Sequence, residues 1–109
     1  MATLELVQND KGYDLTFTIK DAQNQPVDLT NAVVTLLVKK YGATTLKINS
    51  TCTPSEPYTD GICTYTVQAS DFDVVGRYVG ELEVNWTGGK RMTAQDLTID
   101  VVPELGTAA

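Results

Sequence analysis

The sequence predicts an all-β domain, a sandwich of about seven short antiparallel strands, and three observations carry that expectation. Apolar and polar residues alternate along most of the chain, the period of two expected when one face of a strand meets a core and the other meets water. Clusters of Gly, Asn, Asp and Pro interrupt those runs at the spacing of a β-sandwich. Thr and Val supply about a quarter of the 109 residues, a β-branched bias that suits pleated surfaces and disfavours helices.

Leu4 and Leu6 form the first alternation, which Asn9-Asp10-Lys11-Gly12 closes. Leu15, Phe17 and Ile19, alternating with Asp14, Thr16, Thr18 and Lys20, make the second, and the turn-rich stretch Asp21 to Pro26 follows it. Ala32 to Lys39 reads AVVTLLVK and is apolar on both faces. Such a run fits a central strand covered on both sides, or one whose outer face meets a partner. Tyr41-Gly42-Ala43 ends it, and further alternations lie at Leu46 and Ile48 and at Cys63, Tyr65 and Val67. The longest runs through Tyr78, Gly80, Leu82, Val84 and Trp86, turns at Thr87 to Lys90, and leads to Leu97, Ile99 and Val101. Asp28 to Asn31 and Ser70 to Val75 have room for no more than a helical turn each, the second capped by Ser70 or Asp71. Residues 1–102 therefore read as a single domain and residues 103–109 as a flexible carboxy-terminal tail.

Composition narrows the function. Eight basic and 14 acidic side chains give a net charge of −6, and there is no histidine. Eight scattered cations make no basic stripe for a phosphate backbone, so nucleic acid is not an expected partner. The missing histidine removes the commonest general base and metal nitrogen. No apolar run is long enough to span a bilayer, and Met1 to Glu5 lacks the basic leader of a secretory signal. The expectation is a chain made in a cytoplasm, with no membrane partner.

No catalytic, cofactor-binding or metal-binding residues emerge. Glu81 and Glu83 share the polar face of one strand, and solvated neighbours of that kind lack the environment that drives two carboxylate pKa values apart. Asp10, Asp14, Asp60, Asp71 and Asp73 could offer oxygen ligands to calcium, but no stretch has the spacing of a calcium loop. Ser50, Ser55 and Ser70 have no histidine to activate them. Asn49-Ser50-Thr51 and Asn85-Trp86-Thr87 match the glycosylation triplet, which arises readily in a threonine-rich chain. Trp86 falls on the inward phase of its strand, which favours packing over a ligand platform.

Two features are structural in character. Cys52 and Cys63 flank a loop with two prolines, and if its arms pair the sulfurs come close enough for a disulfide worth about 2–3 kcal/mol by chain entropy. The residues also admit two free thiols in a reducing compartment. Asp71-Phe72-Asp73-Val74-Val75-Gly76-Arg77-Tyr78 places an acidic turn and a glycine before a tyrosine that enters a long strand. That is the pattern of a tyrosine corner, with the Tyr78 phenol reaching back to backbone near the turn.

The runs Gly12-Tyr13-Asp14-Leu15-Thr16-Phe17, Gln25-Pro26-Val27-Asp28-Leu29-Thr30-Asn31-Ala32 and Gly61-Ile62-Cys63-Thr64-Tyr65-Thr66-Val67 carry a family resemblance. So do the strand Val33 to Lys39, Asp71, Gly76-Arg77-Tyr78, Glu81-Leu82-Glu83-Val84 and Leu97-Thr98-Ile99-Asp100-Val101. Together these resemble the immunoglobulin-like amino-terminal domain of phage baseplate upper proteins, tail-tip components of siphophages, over about residues 4 to 102. The resemblance implies an immunoglobulin-like sandwich with a virion location and a structural role. It further implies docking onto tail, baseplate or neck subunits, homo-oligomers within the particle, and neither catalysis nor cofactor. Open sheet edges, the terminal segments Met1 to Gln8 and Pro103 to Ala109, and the Val33 to Val38 surface are natural docking elements. The competing readings are capsid decoration and a module that binds carbohydrate or protein on the host surface. Clustering of Tyr41, Tyr58 and Trp86 would favour the host-surface module.

Overall fold

The computed structural model describes residues 2–104, without the side chains of residues 2, 3, 95 and 96. Seven strands follow in order: β1 (Ala2–Val7), β2 (Asp14–Thr18), β3 (Ala32–Lys40), β4 (Ile48–Pro54), β5 (Ile62–Thr66), β6 (Gly76–Trp86) and β7 (Arg91–Val102). One 3-10 turn, Tyr58–Asp60, precedes β5. The strands form one curled sheet in the order β1-β7-β6-β3-β4-β5-β2, an all-β half-barrel.

The curl comes from β4. Its first part, Ile48 to Cys52, pairs with Val34 to Val38 of β3, whereas Thr53 and Pro54 pair with Thr64 and Cys63 of β5. One strand thus serves both leaves of the sheet, and the inward rows of the leaves enclose a single core. Val34, Leu36, Val38, Val84 and Ile99 are fully buried there, with Phe17, Ile19, Leu29, Val67 and Phe72 also buried. The Val33–Val38 run divides accordingly: Val34, Leu36 and Val38 face inward, and Val33 on the opposite face is 54% exposed.

The sheet is mixed, which corrects the expectation of a wholly antiparallel arrangement. β1 runs parallel to β7, with Leu4 beside Ile99 and Leu6 beside Val101, while every other pairing is antiparallel. β2 lies at the far edge of the curl beside β5, so β1 cannot close a hairpin with its sequence neighbour. It adds instead to the open edge of β7. The amino-terminal segment is therefore a paired edge strand over Ala2–Val7.

Two element boundaries also differ from expectation. The strand expected around Leu46 and Ile48 begins at Ile48 and continues to Pro54, and Leu46 sits outside it, half exposed. The last strand starts at Arg91, six residues before Leu97, because a bulge interrupts its pairing: Gly80 stands opposite Leu97 but Leu82 opposite Ala94. The extra residue shifts the inward row from Met92 and Ala94 to Leu97, Ile99 and Val101. Neither Asp28 to Asn31 nor Ser70 to Val75 is helical. The Asp28 carboxylate instead accepts hydrogen bonds from the Thr30 amide and hydroxyl, an Asx turn that leads into β3. Of the tail expected at 103–109, residues 105–109 lie outside the described residues.

Candidate interaction surfaces

The acidic segment before β6 is bound into the fold from several sides. Phe72 is buried and meets the Tyr78 ring edge-on, with centroids 5.5 Å apart at 89°. The Tyr78 hydroxyl donates to the Val74 carbonyl at 2.6 Å. Tyr65, on the neighbouring leaf, donates its hydroxyl to the Asp71 carboxylate, which also takes the Gln68 amide at 2.8 Å. The Asp73 carboxylate pairs with Lys47 at 2.8 Å. Burial first, and then the Asp71 carboxylate, push the Tyr65 phenol well above the ordinary tyrosine range. Burial raises Tyr78 as well. Asp71 and Asp73 are thus committed to loop structure, and Asp14 likewise accepts the Thr66 hydroxyl at 2.6 Å.

Glu83 accepts from Asn85 and pairs with Arg91 at 2.7 Å, and these two contacts lower its pKa. Glu83 and Glu81 alternate with the inward Leu82 and Val84. The pair lies on the outer face, as the alternation implies.

Cys52 and Cys63 are both buried and both free. The register sets Pro54 opposite Cys63, so the two cysteines are diagonal neighbours on the inner face and not direct partners across the ladder. Interaction with the Cys63 thiol first, and then burial, pushes the Cys52 thiol above its usual range.

Tyr41 stands apart from Tyr58 and Trp86. Tyr41 lies where β6 begins, its amide donating to the Arg77 carbonyl, whereas Trp86 ends β6, eleven residues long. At about 3.3 Å per residue the two are separated by roughly 30 Å. Trp86 is also engaged: its indole N–H donates to the Asp28 carbonyl at 3.0 Å, and the Lys90 ammonium sits 4.7 Å from the ring centroid. Tyr58 lies at the Trp86 end, its carbonyl accepting the Leu29 amide at 3.0 Å beside the Asp28 carbonyl that takes the indole, so the three rings do not form one cluster.

Three surfaces remain open. The first is the β6 entrance, where Tyr41 is 72% exposed, Leu46 50%, Val74 45% and Val75 40%. These four come from two loops that the Lys47–Asp73 pair and the Tyr41–Arg77 backbone bond hold together. This grouping leaves no signal in the residue order, because the loops meet only after the sheet curls. The second is an open groove of about 500 Å³ over β4 and β5, lined by Ser50, Thr51, Thr53, Thr64 and Thr66. The third is the outer edge of β2, the last strand of the curl. No three Asp, Glu or Cys side chains converge as metal ligands among the described residues.

The profile of the BppU N-terminal domain matches the chain over residues 4–109. No match to a curated protein is found.

Proposed function

From the premise that this chain belongs to the family of the baseplate upper protein N-terminal domain, and so is a structural domain of a phage baseplate, we propose that it acts as a non-catalytic adaptor of the virion. Family membership implies a virion location and contact with other virion structural proteins. The finer reading is an immunoglobulin-like module that docks onto neighbouring tail, baseplate or neck subunits and self-associates in the particle. It is made in the host cytoplasm, binds neither nucleic acid nor membrane, and uses no cofactor. Residues 1–102 are its folded unit.

The observation that carries the docking role is the apolar end at the β6 entrance. Four exposed large apolar side chains held in place by an ion pair and a backbone bond are unusual on a surface that meets only water. The immunoglobulin-like reading draws support from strand order: β7, β6 and β3 form one leaf, β5 and β2 the other, and β4 crosses between them. In this reading Tyr78 is the tyrosine corner, supported by its hydroxyl bond to Val74. Cys52 and Cys63 are a core pair placed to close a bridge, supported by their burial and their diagonal placement on the β4–β5 ladder.

Co-expression with the neighbouring baseplate subunits, followed by size-exclusion chromatography and electron microscopy, tests the adaptor role. Co-elution that is lost in Tyr41→Ser/Val74→Asp, with the melting temperature unchanged, is the expected result. Co-elution that the double variant leaves intact removes the β6 entrance as the docking surface, and no co-elution with any baseplate subunit removes the adaptor role.

A further inference from the structure

The free edge of β2 has a charge pattern complementary to itself. In the β2–β5 ladder the odd residues carry the hydrogen bonds: Val67 donates to the Tyr13 carbonyl, Ile19 donates to the Gly61 carbonyl, and Leu15 and Phe17 stand opposite Tyr65 and Cys63. In an antiparallel pair the intervening residues then point their N–H and C=O groups to the other side. For β2 that side is the sheet edge, so Asp14, Thr16, Thr18 and Lys20 offer backbone donors and acceptors to solvent. Lys20 extends the strand by its isolated bridge to Pro26. The Asp21–Gln25 turn folds back toward the β5 side, its backbone bonds joining Ile19 to Val27 and Asp21 to Gln25. Among the described residues nothing covers the outer edge.

Edges of this kind normally carry a guard such as a proline, a bulge or an inward charge. β2 has no proline, bulge or inward charge: its inward residues are Leu15 and Phe17, and its outward side chains Asp14, Thr16 and Thr18 are exposed, so its protection is its length of five residues and the two opposite charges at its ends, Asp14 and Lys20. We propose that β2 pairs antiparallel with β2 of a second copy of this chain, about a two-fold axis at Phe17, joining two half-barrels into one continuous sheet.

The register follows from the sequence. With the axis at Phe17, Thr16 lies opposite Thr18 of the second copy, and Asp14 lies opposite Lys20. Residues with outward backbone groups meet residues with outward backbone groups, as a ladder requires. Threonine pairs and opposite charges are favourable cross-strand neighbours. Lys20 makes no ion pair among the described residues, so the contact costs no existing bridge. The other edge of the sheet, β1, lacks this complementarity. Its one charged residue, Glu5, is central in the strand, and antiparallel self-pairing there would bring Glu5 toward its own copy.

This assigns a surface to the self-association read above, and it does not depend on docking to other subunits, because the chain alone is measured. Sedimentation equilibrium of the 109-residue chain at rising concentration should show a monomer–dimer equilibrium. Asp14→Lys or Lys20→Asp alone sets like charges opposite each other twice per dimer and should weaken association by about tenfold or more. Asp14→Lys/Lys20→Asp together restores the complementarity with the charges exchanged and should recover most of the dimer. Circular dichroism on each variant separates loss of pairing from loss of fold: Lys20→Asp should melt near the unaltered chain, and Asp14→Lys, which gives up the exposed bond from Thr66, only a few degrees lower. A chain that stays monomeric at all concentrations overturns the proposal. So does a dimer that the single variants leave unchanged, or one that the double variant fails to recover.

Discussion

Removing a single oxygen from Tyr78 tests the packing of the β6 entrance. Tyr78 is 1% exposed, and its hydroxyl donates to the Val74 carbonyl at 2.6 Å. Tyr78→Phe keeps the ring, its edge-on contact with Phe72 and almost all of its volume. What it loses is the bond, and it leaves the Val74 carbonyl without its partner inside the loop. The bond is part-buried, with Tyr78 inside and Val74 45% exposed, and deleting the donor of such a bond typically costs about 1–2 kcal/mol, the upper end applying where the remaining carbonyl is kept from water. For a domain of this size each kcal/mol lowers the melting temperature by about 4 °C, so a fall of about 4–8 °C is expected. Thermal and urea unfolding followed by circular dichroism read the change, and the urea dependence should keep its slope while its midpoint falls. A melting temperature within about 1 °C of the unaltered chain would refute the reasoning, since the carbonyl would then be satisfied without the phenol.

Gly61 has φ 71, and a Cβ there would stand 2.6 Å from the Ile19 carbonyl oxygen, so Gly61→Ala should cost about 2–4 kcal/mol by urea titration. Gly88→Ala, at φ 101 with nothing within 4 Å, serves as the comparison and should cost clearly less; equal costs would remove the close approach as the cause. The raised pKa values of Tyr65, Tyr78 and Tyr13 mean that the folded state holds phenolic protons more tightly than the unfolded chain. Their contribution to stability is therefore complete below the unfolded tyrosine pKa of about 10 and is lost as pH rises through the folded values. The urea midpoint should fall steadily above pH 10, and less steeply in Tyr65→Phe; a flat profile to pH 12 contradicts the assignment. Cys52 and Cys63, 5% and 0% exposed, should resist iodoacetamide in the folded protein and take up two labels in denaturant when purified under reductant. Labelling of the folded chain at the rate of an exposed thiol refutes their core placement, and absence of label in denaturant without reductant identifies the bridge.

The strands most legible in the sequence are those whose alternation survives folding. Leu15, Phe17 and Ile19 face the core in strict phase, as do Tyr78, Leu82 and Val84. β7 was half hidden because the bulge near residues 95 and 96 changes parity: Met92 and Ala94 face inward at even positions, and Leu97, Ile99 and Val101 at odd ones. A search for period two finds only the second half. β4 was hidden for a different reason. Ser50 shares the phase of Ile48 and Cys52 yet stays exposed, because β4 lies where the half-barrel opens and the groove begins. Parallel pairing of β1 was not visible at all, since Leu4 and Leu6 specify a buried face without specifying a neighbour. The apolar end was equally invisible, because Val74 and Val75 read as part of a capped turn and Tyr41 as a turn residue. The Tyr78 hydroxyl bond to Val74, by contrast, spans only four residues and so lies within reach of a local pattern.

The parallel pairing of β1 with β7 has a mechanical consequence. Tension that pulls Ala2 and Val102 apart acts along the two strands in opposite directions, and it loads the backbone bonds between Ala2–Val7 and Leu97–Val102 in shear. An antiparallel hairpin pulled at its open end yields one rung at a time, whereas this ladder must give way along its whole length together. A domain fastened at its two ends inside a particle would therefore hold force through the strand pair that joins its first residues to its last.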